Sequence, residues 1–325
     1  MGRMRILPEK SGDTLSAAGI EALIKTGGVF RVEVRRKVTS TNTLLRELAA
    51  EGAPEGYVLA AEEQTAGKGR QGRGFRSPAG HGLYFSLLLR PGLAAKDAAL
   101  ITPAAAVATA FAIEEVYGVR AGIKWVNDLL VDGKKVCGIL TETVLDAESG
   151  LIESAVLGIG INVTQPEAGY AGDIRAVAGA LTDYTRGETR GETRGETRGE
   201  TRGETRGETR GETQGETRDE SRGETRGEKD RRCRLIAAIL DNFWGYYGGP
   251  HLAPHLTERA FLEEYRARSV VPGQYIYVIT GDVRRAAKAI AIDDDCGLVV
   301  QYGDGETVTL NSGEVSIRAI GNNDL

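Results

Sequence analysis

Residues 62–74 read EEQTAGKGRQGRG, with four glycines and the cations Lys68, Arg70 and Arg73 in thirteen residues. They follow YVLAA at 57–61, which reads as a strand. Glycine lets successive backbone N–H groups turn toward one point and form an anion nest. Arginine adds a fork of donors that holds a phosphate or carboxylate by two parallel bonds. The chemistry this predicts is the gripping of phosphate. A Walker loop is excluded, because that needs GxxxxGK followed by Ser or Thr. GKGRQG matches GxGxxG formally, but FRSPAGHGLYFS after it reads as a turn and a strand, not the helix of a dinucleotide site. A solvated turn is the plain alternative, and the loop alone does not decide.

A second set of chemical residues lies on a hairpin. Ile123–Val131 runs into Asp132-Gly133, a favoured two-residue turn, and returns over Lys134–Val144. This register sets Leu130 opposite Lys135 and Asp128 opposite Cys137. Alternation then puts Lys124, Asp128 and Lys135 on one face. Two lysines and a carboxylate are costly to bury among VCGIL and LLV without a task; on a solvent face they would merely pair. In LGIGIN, Gly158 and Gly160 leave bare backbone on a strand, which admits a ligand or marks a bulge.

The elements that must position these residues alternate between helix and strand. STNTLLRELAAE at 40–51 reads as a capped helix. Leu83–Leu89 and Ala155–Val163 read as strands, and 97–117 as one Ala-rich helix stopped at Gly118. Residues 234–247 and 256–268 read as two more helices. From Ser269 the texture changes to short β segments, YIYVIT, AKAIAI, LVVQY, TVTL and VSIRAI, separated by turns. The division expected is an amino-terminal extension over 1–30, an α+β domain over 31–268 and a small β-barrel domain over 269–325. Residues 186–229 are eleven four-residue units of RGET type with no apolar residue, expected to be a disordered insertion, either a binding tether or a neutral surface expansion.

The totals set limits. The 325 residues carry 41 basic and 46 acidic side chains, net −5, which argues against general affinity for nucleic acid. Cys137, Cys233 and Cys296 are odd in number and lack metal-ligand spacing, as expected of a reducing cytoplasm. MGRMRILPEK lacks the apolar core of a signal peptide, and no apolar run approaches a bilayer span, so no membrane partner is expected. His81, His251 and His255 are expected at the surface or in turns; Trp244, Tyr246 and Tyr247 are expected to pack a helix on the core.

STN at 40–42, GKGRQGR at 67–73, KWVNDLLVDGKKVCGIL at 124–140, GIGIN at 158–162 and SGEVSIR at 312–318 stand in the order found in biotin–protein ligases. The chain resembles that family from about residue 30 onward. The resemblance implies a mixed-sheet catalytic domain of the biotin/lipoate ligase type, like that of class II aminoacyl-tRNA synthetases, plus an SH3-like carboxy-terminal domain. It implies ATP and biotin as co-substrates, Mg²⁺ with the ATP, and a biotinyl-5′-adenylate passed to one lysine of a biotin carboxyl carrier domain. Ser40, Thr41, Asn42, Gln64, Gly67, Lys68, Arg70, Lys135, Gly138, Gly158 and Gly160 correspond to biotin-binding positions. Arg70, Arg73, Asn127, Lys135 and Asn162 correspond to the adenylate side. Lys135, Arg70, Asp128 and Lys124 are the catalytic candidates; no metal ligand is named.

The sequence departs from the family at Val126, where Pro is usual, and at Lys68 and Gln71, where Arg is common. An aromatic cover for adenine is offered only by Tyr184, so the adenine contacts stay open. Fewer than 40 residues precede STN, too few for the helix-turn-helix domain of repressor relatives; specific DNA binding is not expected, and a mobility shift surviving physiological salt would overturn this. A lipoate or octanoate ligase and a protein that merely sequesters biotin are the alternatives. Relatives form homodimers through the sheet edge, but no residue here decides the oligomeric state.

Overall fold

The computed structural model describes residues 13–170, 172–185, 230–248, 254–280, 283–311 and 313–316. The expectation for the repeat at 186–229 lies outside the described residues, as do those for His251 and for the last residues of SGEVSIR.

The elements are α1 (Ala17–Glu21), β1 (Arg31–Val38), α2 (Thr41–Ala50), β2 (Tyr57–Gln64), β3 (Gly82–Leu89), α3 (Ala95–Ala98) and α4 (Ile101–Tyr117). Then come β4 (Gly122–Lys124), β5 (Asp128–Val131), β6 (Lys134–Leu145) and β7 (Ile152–Asn162), followed by α5 (Arg231–Tyr247), α6 (Pro254–Glu258) and α7 (Leu262–Arg268). Strands β8 (Tyr275–Thr280), β9 (Val283–Ile292), β10 (Leu298–Tyr302), β11 (Thr307–Leu310) and β12 (Glu314–Ser316) end the described chain.

Strands β1 to β7 form one mixed sheet in the order β1-β2-β3-β7-β6-β5-β4. Only β1 and β2 pair in parallel there; the other neighbours are antiparallel. The chain alternation sorts the two faces. Leu83, Phe85, Leu87, Ile159 and Ile161 enter the large core beneath α4 and α5, while Leu59, Leu88 and Val156 pack against Leu45 and Ala49 of α2. Gly158 and Gly160 therefore lie on the α2 face. Ser40 caps α2, its hydroxyl accepting from the Thr43 N–H, and this fixes Thr41 and Asn42 as first-turn residues over the sheet.

The expected single helix at 97–117 is divided. Pro103 lacks the N–H that would bond to the Ala99 carbonyl, so α3 ends and α4 begins with the proline in its first turn. Gly118 ends α4 in the left-handed conformation, as expected. The stretch Ala95–Tyr117 is long and apolar enough to cross a bilayer by length and composition, contrary to the expectation for this chain. It is apolar on all sides because it is a core helix, covered by α5 and by β4 to β6. The expected helix at 256–268 is also broken, with Arg259 at φ 58° between α6 and α7. No glycine or proline marks that break.

Strands β8 to β12 form a second, five-stranded antiparallel sheet in the order β11-β10-β9-β8-β12. Its first strand begins at Tyr275; before it, Ser269 bridges to Ile123 of β4 and the Val270 N–H bonds to the Ile123 carbonyl, so these residues attach to the edge of the first sheet. Ile276, Val278, Ala287, Leu298 and Val300 join the large core, so the two sheets share one apolar interior.

Candidate functional site

A cavity of ≈ 840 Å³ opens on the α2 face, between the 68–75 loop, the β4–β6 strands and the small domain. Ser40, Thr41, Asn42, Gln64, Lys68, Arg70, Arg73, Lys124, Asn127, Asp128, Lys135, Gly138, Gly158 and Gly160 all line it. Gly67 and Asn162 do not. A Cβ on Gly67 would lie 2.4 Å from the Phe75 carbonyl, so this glycine serves the closure of the loop on itself. Asn162 donates to the carbonyls of Gly179 (3.1 Å) and Lys135 (3.4 Å) and lines a smaller adjoining cavity of ≈ 140 Å³.

The hairpin differs from its expected register. Residues 123–131 are two strands, β4 and β5, joined by a turn at Trp125–Asn127, and Lys124 pairs with Asp128 across them. Asp132 (φ 48°) and Gly133 (φ 75°) form the two-residue turn as expected. A bulge at Val136 then moves Asp128 from Cys137 to a place opposite Gly138, while Leu130 still faces Lys135. The bulge lets both Val136 and Cys137 reach the core, where each is fully buried. Lys135 and Asp128 nevertheless share a face, and Lys135 Nζ lies 2.6 Å from Asp128 Oδ1.

The floor of the cavity is backbone. Gly138 pairs with Gly160 across β6 and β7, and Gly158 follows two residues away. What lies above these glycines is protein side chain. A Cβ on Gly160 would sit 2.6 Å from the Phe75 ring, and one on Gly158 would sit 2.0 Å from Asn42 Oδ1. Asn42 is buried; it accepts from Ser86 Oγ (2.6 Å) and donates to Glu142 Oε2 (2.9 Å). Gln64 accepts from the Thr41 N–H (2.9 Å) and hydroxyl (3.1 Å), and its amide nitrogen donates to Ser77 Oγ (2.8 Å). A polar wall is thus preorganised at one end of the slot.

Cations gather at the other end. The loop is a small hairpin in which the Gly69 N–H bonds to the Arg73 carbonyl and Gln71 takes φ 54°. Arg70 Nη1 donates to Asn127 Oδ1 (3.1 Å), and Asn127 Nδ2 donates to the Ile139 carbonyl (2.8 Å). Lys68 stands apart from these two: its Nζ reaches Glu142 Oε1 at 3.3 Å, and Glu142 also accepts from Asn42, so Lys68 lies beside the polar wall.

Sequence reasoning missed Glu142, Ser86 and Phe75. Glu142 was legible by alternation from Gly138 and Leu140. Ser86 was legible as the single polar residue of LYFSLLL. Phe75 carried no signal, because only the fold of the loop sets it over Gly160. Cys137 is a buried thiol whose pKa is pushed up by desolvation. The three cysteines are free and buried. His81 meets Thr164 and His255 the Gly245 carbonyl, while Trp244 packs edge-on against Phe30.

Among the described residues no group of three or more His, Cys, Asp or Glu side chains gathers as metal ligands do. The donor set at the cavity is rich in cations and Asp128 is paired with Lys135, so these side chains do not make a carboxylate cage for a metal ion.

The architecture is a mixed sheet whose glycine-floored face meets a cationic loop, followed by a small antiparallel sheet. Residues 34–162 match the biotin/lipoate A/B protein ligase family and residues 276–318 the biotin protein ligase C-terminal domain. The two matched stretches fall on the mixed sheet and on the small antiparallel sheet, respectively. It is 41% identical over 145 residues to the bifunctional ligase/repressor BirA of Bacillus subtilis, covering 45% of this chain and 44% of the relative. It is 36% identical over 162 residues to a biotin–[acetyl-CoA-carboxylase] ligase of Mycobacterium tuberculosis, covering 45% and 54%. The match therefore spans about half the length of these relatives. The biotin protein ligase of Aquifex aeolicus, solved with biotin and ATP, shares the fold at a TM-score of 0.60 and 23% identity over 89% of this chain and 98% of that one.

Proposed function

We propose that the chain is an ATP-dependent biotin–protein ligase acting in the cytoplasm, with a biotin carboxyl carrier domain as acceptor. The observation that carries this reading is the convergence of the Lys135–Asp128 pair and the Arg70–Asn127 pair on one end of a glycine-floored slot. The names of its relatives supply the substrate.

In this reading biotin's ureido ring meets the Thr41–Gln64 wall, and its chain runs over the paired glycines. A carboxylate oxygen attacks the α-phosphorus of ATP, the bond to the bridging oxygen breaks and pyrophosphate leaves. Lys135 and Arg70 offset the charge that builds on the phosphoryl oxygens, and being held before the reaction they need little reorganisation. Lys124 and Arg73 extend the positive field, and magnesium, when bound with the nucleotide, would supply further charge neutralisation. In the second half the acceptor lysine attacks the acyl carbon and AMP departs. That amine is mostly charged near neutral pH, since its free pKa is about 10.4. Asp128 can orient or deprotonate it. The loop shields the mixed anhydride from water.

Biotin-dependent exchange of pyrophosphate into ATP tests this. Wild type should exchange, and Lys135→Ala should lose about 100-fold or more. Exchange with lipoate or octanoate but not biotin would keep the fold and overturn the substrate. Failure with all three would leave a protein that only binds. The RGET repeat is proposed as a passenger, so excising 186–229 should leave the exchange rate unchanged.

A further inference from the structure

The turn between β4 and β5 carries Asn127 and Asp128, yet it is not held by its own strands alone. Trp125, only 3% exposed, donates its indole N–H to the Cys296 carbonyl at 2.9 Å. Cys296 belongs to the small domain, in the turn between β9 and β10. Tyr265 of α7 donates its hydroxyl to the Val126 carbonyl at 3.3 Å. Burial pushes the Tyr265 phenol well above its ordinary range, so it stays a donor. Next in the chain, Asn127 meets Arg70, and its carbonyl accepts from the Ile139 N–H at 2.9 Å.

The far end of this contact is itself braced. Asp293 Oδ1 accepts from the N–H groups of Asp295 (3.0 Å) and Gly297 (2.7 Å). Cys296 stands at φ 62°, an uncommon conformation for a residue with a Cβ, and its carbonyl is thereby aimed at the indole. Asp293 lies outside the cavity lining.

We infer that the 293–297 turn of the small domain is a strut for the β4–β5 turn, with Trp125 and Asp293 as positioning residues that hold Asn127, and through it Arg70, in place for the nucleotide. This rests on the ligase reading. A hydrogen bond linking residues 171 positions apart in the chain ties the geometry of one domain to the order of the other. If the strut fails, Asn127 loses its fixed place and Arg70 loses its partner. The nucleotide side should suffer, whereas the Thr41–Gln64 wall, built on α2 and β2, should not.

The test compares wild type, Trp125→Phe, Asp293→Ala and the distant control Arg285→Ala in full-length protein. Arg285 pairs with Asp304 and Glu306 at the exposed side of the small domain. Pyrophosphate exchange is measured as a function of ATP and of biotin, and amide hydrogen exchange is read at Ile139. Trp125→Phe should raise the KM for ATP about tenfold and lower kcat, as expected for one lost interaction, with the KM for biotin within about twofold. Asp293→Ala should do the same more weakly. Ile139 should exchange faster in both variants. Mere loss of folded enzyme would lower kcat and leave both KM values alone.

Wild-type values for ATP and for Ile139 in both variants would overturn the strut, as would an equal effect from Arg285→Ala. If Trp125→Phe does not fold, Asp293→Ala decides. If wild type shows no biotin-dependent exchange, the ligase reading falls and the Ile139 amide alone still decides the strut.

Discussion

Gly158 and Asn42 illustrate how closely the slot is built. The absent Cβ of Gly158 leaves room for Asn42 Oδ1, and Asn42 in turn joins Ser86 and Glu142 in a buried network. Gly158→Ala must push that amide aside, at about 1–3 kcal/mol for a displaced or unsatisfied buried polar group. Thermal unfolding should show the loss, and the KM for biotin should rise because Thr41 immediately precedes Asn42 on the same helix turn. Gly160→Ala meets the Phe75 ring instead, which can rotate; its cost in stability should be smaller than that of Gly158→Ala. Equal melting points for the two variants would contradict this ranking.

At the level of elements, two features control the site. The first is the β5–β6 hairpin. Gly133 holds φ 75°, so Gly133→Ala should cost about 1 kcal/mol in a denaturant melt. Because Lys135 follows the turn by two residues, the exchange rate should fall with stability. The second is the β1–β2 pair, which carries Gln64. Tyr57 donates to Glu33 Oε2 at 2.5 Å, and this bond, with Arg35 second, lowers the Glu33 pKa below its ordinary 4.5. A carboxylate depressed in the folded state stabilises above its unfolded pKa, and that contribution is lost as pH falls through the folded value. Tyr57→Phe should therefore lower the melting temperature at pH 7, with the difference shrinking below about pH 4.5. A difference independent of pH would show that Tyr57 acts by packing alone.

At the scale of the whole molecule, a buried cation ties α7, which leads into the small domain, to the core helix α4. Arg268, at the end of α7, pairs with Glu264 (2.5 Å) and with Glu114 of α4 (2.6 Å), and lies over the Phe111 ring. Ser269 follows immediately and bridges to Ile123 of β4. Arg268→Leu would leave two carboxylates without their partner, at a cost of about 3 kcal/mol. For a protein of this size, with an unfolding entropy of about 2.1 cal/mol/K per residue, that corresponds to a fall in Tm of roughly 4–5 °C. Calorimetry should show one transition moving as a unit, since the cores are continuous. A separate early transition of the small domain would refute that coupling.

What the sequence determined by itself was local. Ser40 as a helix cap, Asp132-Gly133 as a turn, Gly118 as a helix stop and the strand texture after 269 are all set by residues near in the chain, through dihedral preference and alternation. Most of the site residues were legible for the same reason, because they lie within short motifs. The tertiary structure alone decided how those motifs meet. The bulge at Val136 depends on which side chain the core can accept. Phe75 covers Gly160 only because the loop folds back on Gly67. The break at Arg259 is accompanied by an ion pair to Asp295 in the β9–β10 turn, and the Trp125 indole finds its acceptor in that turn as well. Contacts between residues far apart in sequence are set by the filling of space and the pairing of buried polar groups, and no local pattern records either.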